Sequence, residues 1–193
     1  MKHLASLLVI LMSVLAACNH GGGEDTATPR RHAYPRVQTY DSVYTAVDSF
    51  PVHFEVNAQA GKRVPRAGWL DVVYPAYGAV MHVSALSYSG QRLEAELEKR
   101  RERMTMNLYG LSAATEHVTS ADSSFEAVVL VSSDATTTPV QFLATDGHGM
   151  LVTGAAYMPG VRPESNADSI APQVDALHRD ILHALKQLSY EVK

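Results

Sequence analysis

The sequence predicts an α+β fold: a mostly antiparallel sheet with two amphipathic helices packed on it, in a single domain. Three observations carry this. Apolar and polar residues alternate at period two through much of residues 36–158. Residues 91–109 and the C-terminal end switch to helical spacing. The resulting order is strands, helix, strands, helix, and the short links within the second set of strands favour antiparallel neighbours.

Composition narrows the function classes. The chain has 193 residues, of which 46% are hydrophobic and 19% charged, as in a globular chain of one domain. A net charge of −4 gives no basic footprint for nucleic acid. There is one cysteine, Cys18, which excludes an internal disulfide and a multi-cysteine zinc site.

Residues 1–17 read as a signal peptide. Lys2 and His3 make a short polar start, and Leu4 to Leu15 is almost wholly apolar but too short to span a bilayer. Leu15-Ala16-Ala17-Cys18 resembles the bacterial lipobox, whose cysteine thiol is acylated and becomes the first residue after cleavage. Each buried methylene of an acyl chain adds about 0.8 kcal/mol, so several chains on one residue anchor stably. Asn19 follows where an aspartate would signal inner-membrane retention, so the outer membrane is the expected location. Residues 18–35, with three consecutive glycines and two prolines, read as the lipidated cysteine and a flexible tether. Residues 36–193 are the domain.

Within the domain, Val37 to Tyr44 is expected to be a first strand, and Val52, Phe54 and Val56 alternate as a second. Leu70, Val72 and Tyr74 alternate next, and Pro75 ends that run because it lacks the ladder donor. Ala79 to Tyr88 follows as a longer strand. Leu93, Leu97, Met104 and Leu108 mark one face of a helix over 91–109, with Gly110 as C-cap. Its dense charges read as a wet face, with Glu96–Arg100 and Glu98–Arg101 as expected pairs. Phe125–Val131, Val140–Thr145 and Met150–Met158 form a meander, with Asp146-Gly147 as a hairpin turn. Asp168 or Ser169 is expected to cap a last helix carrying Ile170, Val174, Leu177, Ile181, Leu185 and Leu188 on one stripe.

No chemistry-bearing motif stands out. There is no Walker loop, GxGxxG, HExxH or CxxC. His178 and His183 lie five residues apart, about 140° around a helix, which does not suit a shared metal. Asp146 and His148 in the turn make only a two-residue set, incomplete for a metal. His82 and Ser84 share a strand face, and Asp71 on a neighbouring strand would complete a Ser-His-Asp grouping. That grouping lacks a nucleophile elbow or strained turn at the serine.

Several stretches, taken in order, resemble the gliding-motility lipoprotein GldD family of Bacteroidota. They are the lipobox cysteine, "AYPRV", "FPVHFEV", "GWLDVVYPAYGAVMHVS", "QFLATDG", "GAAYM" and "NADSIAPQV". Trp-x-x-x-x-Tyr-Pro followed by His-x-Ser, and Asn-x-Asp-Ser-Ile-x-Pro, are the most specific parts. Tyr34, Arg36, Pro51, Phe54, Trp69, Tyr74, Pro75, His82 and Ser84 match the family's pattern. So do Gln141, Phe142, Thr145, Asp146, Gly154, Tyr157, Asn166, Asp168, Ser169 and Pro172. The chain departs from it at Arg31-His32-Ala33, Met150 and Thr153, so a polar site built on those positions is altered here.

The resemblance implies a role and not a reaction: a lipid-anchored envelope protein serving gliding motility or the associated type IX secretion system. The expectation is therefore a non-enzyme with no catalytic residues, no metal and no cofactor beyond a covalent lipid on Cys18. Its partners would be the membrane, through that anchor, and other envelope proteins of a motility or secretion complex. Tyr34, Arg36, Trp69, His82, Ser84 and Tyr157 are the candidate binding surface. The alternatives are a periplasmic ligand- or peptide-binding lipoprotein with a pocket around Trp69, His82 and Tyr157, and a hydrolase using Ser84 and His82.

Overall fold

Seven antiparallel strands form a continuous sheet, here seen in a computed structural model that describes residues 37–190. Cys18, Tyr34 and Arg36 lie outside the described residues. Two short strands, β1 (Tyr44–Ala46) and β2 (Glu55–Asn57), pair separately. The large sheet holds β3 (Gly61–Arg66), β4 (Trp69–Tyr74), β5 (Ala79–Ser87), β6 (Ala113–Thr119), β7 (Glu126–Ser132), β8 (Val140–Thr145) and β9 (Met150–Tyr157). Its order is β3-β4-β5-β9-β8-β7-β6. Helix α1 (Gln91–Asn107) connects β5 to β6, and α2 (Ala167–Lys186) follows β9. The expected α+β class is observed.

Period two divides the sheet's side chains between two faces. On one face Leu70, Val72, Met81, Val83, Val129, Val140, Phe142 and Val152 form the main core with Val174, Leu177, Ile181 and Leu185 of α2. On the other, Leu143 and Leu151 form a smaller core with Leu93, Leu97 and Met104 of α1. The two helices therefore cover opposite faces. Strand β8 runs beneath both, so Val140 to Ala144 is buried at every position. A strand covered on two faces loses its polar alternation for this reason.

Three expectations need correction. Val37 to Tyr44 is mostly not strand; only Tyr44–Ala46 pairs. The segment is held by side-chain contacts instead: the Tyr40 N–H donates to the Tyr77 hydroxyl at 2.7 Å, and the two rings lie 4.9 Å apart. The α2 cap is Asn166, whose Oδ1 accepts from the Asp168 N–H at 3.0 Å, ahead of Asp168 and Ser169. Helix α1 ends at Asn107 with Leu108 as its C-cap, and Gly110 (φ 77°) lies two residues beyond the cap.

The β8–β9 hairpin is built as expected. Gly147 takes φ 72°, which a side chain would strain. Asp146 Oδ1 accepts the N–H groups of His148, Gly149 and Met150 at 2.8–2.9 Å. Those three donors explain the aspartate without a metal. The hairpin sets the register that pairs Leu143 with Thr153 and Gln141 with Ala155.

Candidate functional site

The register brings a row of polar residues onto the face that α1 only partly covers. Trp69 pairs with Ser84 and Asp71 with His82 across β4–β5. Ser84 then faces Thr153 and His82 faces Ala155 across β5–β9. Ala155 faces Gln141 across β8–β9. Helix α1 crosses above β8 and β9. Between helix and sheet lies a cleft of about 210 Å³, lined by Trp69, His82, Ser84, Gln141 and Thr153 from the strands and Arg100, Arg103, Met104 and Asn107 from α1.

Each polar group in the row has a definable state. Arg63, on the edge strand, donates to Asp71 Oδ2, and His82 Nδ1 lies 2.8 Å from Asp71 Oδ1. Burial of Asp71 opposes its ionisation, but the bonds from His82 and Arg63 outweigh this and hold its carboxyl below the usual range. The Ser84 and Thr153 hydroxyls bond each other at 3.0 Å. Asn107 Nδ2 donates to Gln141 Oε1 at 2.8 Å. Gln141 is 2% exposed, and its Nε2 has no partner among the described residues. Arg100 Nε is likewise buried and unpartnered.

Of the expected surface, Trp69, His82, Ser84 and Tyr157 share this face. Trp69, His82 and Ser84 line the cleft. Tyr157 does not; it stands beside it, 41% exposed, with its ring 6.5 Å from that of His82. Arg66 lies over the Trp69 ring at 4.2 Å, fixing the indole at the cleft's edge by a cation–π contact. The Ser-His-Asp grouping is assembled only in part. Asp71 engages His82, but the Ser84 hydroxyl is bonded to Thr153 and not to the imidazole. A serine without its base is not activated as a nucleophile.

The polar cleft residues outside the expected surface are Arg100, Arg103, Asn107, Gln141 and Thr153, of which Gln141 and Thr153 entered the sequence reading only as a match to and a departure from the family pattern. The charges of α1 had read as a wet face with Glu96 paired to Arg100. Glu96 instead bonds Lys99 at 3.5 Å, while Glu98 and Arg101 sit 3.8 Å apart as expected. Arg100 is thereby left to turn toward the sheet. The signal was present: Arg100, Arg103 and Asn107 recur at spacings of three and four beside buried Met104, so they flank the apolar stripe. Thr153, a position of departure from the family's tendency, holds Ser84 inside the cleft.

A second cluster lies at the β1–β2 ribbon. Glu55 accepts from His183 of α2 at 2.7 Å and from His53 at 3.2 Å. The His183 bond holds Glu55 below its ordinary range despite partial burial. The Tyr44 ring stacks on His183 with centroids 3.6 Å apart. His178 reaches Glu116 of β6 at 3.3 Å, a different partner from that of His183. Among the described residues no group of three or more His, Cys, Asp or Glu is placed to hold a metal. Nor is any described helix long and apolar enough to cross a membrane.

No curated protein and no solved structure matches the chain. A family model does: the one described as gliding motility lipoprotein GldD matches residues 24–190, which takes in every strand and both helices described above. The protein accordingly belongs to the gliding motility lipoprotein GldD family.

Proposed function

We propose that this chain is an envelope lipoprotein held in the outer membrane by acyl groups on Cys18, facing the periplasm, and that it is a non-enzymatic component or accessory of gliding motility and type IX secretion machinery. The observation that carries this reading is the family match over residues 24–190, which begins just beyond the lipobox-like Leu15-Ala16-Ala17-Cys18. The engagement of Ser84 by Thr153 supports the non-catalytic part. In this reading the membrane is one partner, through the lipid, and other envelope proteins of the assembly are the rest. Within the described residues, the docking surface of this reading is the face that carries Trp69, His82, Ser84 and the exposed Tyr157; Tyr34 and Arg36, the other expected members, lie outside the described residues. The chain needs no metal and no cofactor beyond the lipid.

Cys18→Ala tests the anchor: palmitate labelling is lost and uncleaved precursor accumulates. Normal acylation of that variant would overturn the lipoprotein assignment. Crosslinking in intact envelopes tests the partnership. Recovery of motility or secretion components supports it, and their consistent absence counts against it.

A second reading is favoured by one observation, the cleft beneath α1. In that reading the domain binds a small ligand or peptide segment in the periplasm.

A further inference from the structure

We propose that the cleft between α1 and the sheet receives a carboxylate carried on a small apolar group. This rests on the second, ligand-binding reading above and names the chemical class bound.

Two buried donors point to it. Gln141 is 2% exposed, and its Oε1 is already engaged by Asn107. That bond orients the amide, leaving Nε2 free among the described residues. Arg100 Nε is the other orphan. Buried donors without partners are costly, and both line this one cavity. An acceptor group entering the cleft would find an unpartnered donor on each of these two lining residues.

The charge balance selects an anion. Arg100 and Arg103 line the cleft, and neither has an ion pair among the described residues. On α1, Glu96, four residues before Arg100, bonds Lys99, and Glu98 lies 3.8 Å from Arg101. Asp71, on the same sheet face, is already matched by Arg63 and His82. A carboxylate would meet guanidinium groups that have no ion pair among the described residues, and a guanidinium can give a carboxylate two parallel N–H bonds.

The remaining wall selects the rest of the ligand. Trp69 and Met104 offer apolar surface, and the volume is about 210 Å³. A cavity of about 150 Å³ takes one benzene ring. The cleft therefore suits a single ring or a short branched chain beside the carboxylate. Such a group occurs both as a free acid and as the C-terminal residue of a peptide.

Trp69 is the only tryptophan in the chain and lines the cleft, so its fluorescence reports occupancy directly. The full mature chain is titrated with 3-phenylpropanoate, with the neutral 3-phenylpropanamide, and with Ala-Ala-Phe bearing a free or an amidated C-terminus. The expected result is a saturable change with a carboxylate probe and none with its amide partner. Response to the free acid alone identifies a small acid as the source. Response to the peptide acid identifies a chain terminus. Arg100→Gln and Gln141→Leu should each weaken binding about tenfold or more, since each removes a donor to a charged group. Arg103→Gln, at an exposed helix position, provides a third variant if a buried one folds poorly. Equal response to acid and amide overturns the carboxylate class and leaves the ligand-binding reading standing. No saturable response to any probe overturns both. Unchanged affinity in well-folded Arg100→Gln and Gln141→Leu chains overturns the assignment of the donors.

Discussion

Tyr44 donates its hydroxyl hydrogen to Asp180 Oδ1 at 2.9 Å, joining the β1–β2 ribbon to α2 across 136 positions of sequence. Asp180 is 5% exposed, and its Oδ2 has no hydrogen bond among the described residues. Burial pushes its carboxyl above the ordinary value of 3.8, against the pull of the Tyr44 bond. Burial and this same bond push Tyr44 up to about 12. A folded value raised above the unfolded one favours folding most below pH 3.8, and this contribution is lost as pH rises through the folded value. Asp180→Asn keeps an acceptor for Tyr44 and removes the charge. It should match the parent at pH 3 and gain on it as pH rises to 7. Tyr44→Phe should cost about 1–3 kcal/mol at pH 7, because it strips the buried carboxylate of its donor. Urea unfolding across this range checks both, and parallel stability curves for Asp180→Asn and the parent would contradict the account.

The contact between Gly154 and Phe142 is equally definite. The two pair directly across β8–β9, and the Phe142 ring lies where a side chain at 154 would stand. A Cβ there would overlap two ring carbons of Phe142 and crowd the His82 carbonyl. Gly154→Ala should therefore destabilise by about 1–3 kcal/mol through overpacking. Phe142→Leu should also destabilise alone, since Phe142 is 1% exposed in the core. In combination the smaller side chain makes room, so the double variant should be more stable than the sum of the singles by more than about 0.5 kcal/mol. Additive losses in denaturant titrations would show that the ring is not what excludes the methyl group.

What the sequence left unread sits largely at the sheet's margins. Strands β3 and β6 were not anticipated, and they are its two edges. Every residue of Gly61–Arg66 is exposed, and the segment carries three basic residues and Pro65. In Ala113–Thr119 only Val118 is buried. Edge strands resist further pairing with charge and proline, so they lack the apolar alternation by which central strands are recognised. The central strands β4 and β5 were legible because their buried face writes period two into the chain, and β8 and β9 as apolar runs on either side of the Asp146-Gly147 turn. The site was legible in halves. Trp69, His82 and Ser84 declared themselves as polar or amphipathic residues within apolar strands. Arg100 and Gln141 did not, because their meaning depends on α1 lying over β8, a long-range pairing that no local pattern encodes. The C-terminal helix was the plainest element: Val174, Leu177, Ile181 and Leu185 are all 5% exposed or less, as is Leu188, expected on the same stripe but lying two residues beyond the helix end at Lys186. The exposed end of the same stripe, Ile170, is only partly buried.

Asp146 links the β8–β9 turn to the chain's C-terminal region. Its Oδ1 collects three backbone N–H groups, and its Oδ2 accepts the Tyr190 hydroxyl. The Tyr190 ring leans on Phe125, with centroids 5.3 Å apart. Partial burial opposes ionisation of Asp146, but the Tyr190 bond and the three amides prevail and bring its carboxyl down to about 2. Tyr190, partly buried and facing this carboxylate, is raised to about 12. A folded value depressed in this way stabilises above the ordinary 3.8 and is lost as pH falls toward 2. Asp146→Asn keeps one acceptor oxygen for the amides but loses the charge. It should be less stable than the parent at pH 7 by about 1 kcal/mol, with the gap closing between pH 4 and pH 2. Asp146→Ala removes every acceptor, so it should cost more and speed hydrogen exchange at the amides of His148, Gly149 and Met150. Tyr190→Phe should leave those three amides protected, because it touches only Oδ2. A gap between Asp146→Asn and the parent that stays constant from pH 7 to pH 2 would mean that the carboxylate's charge contributes nothing to the turn.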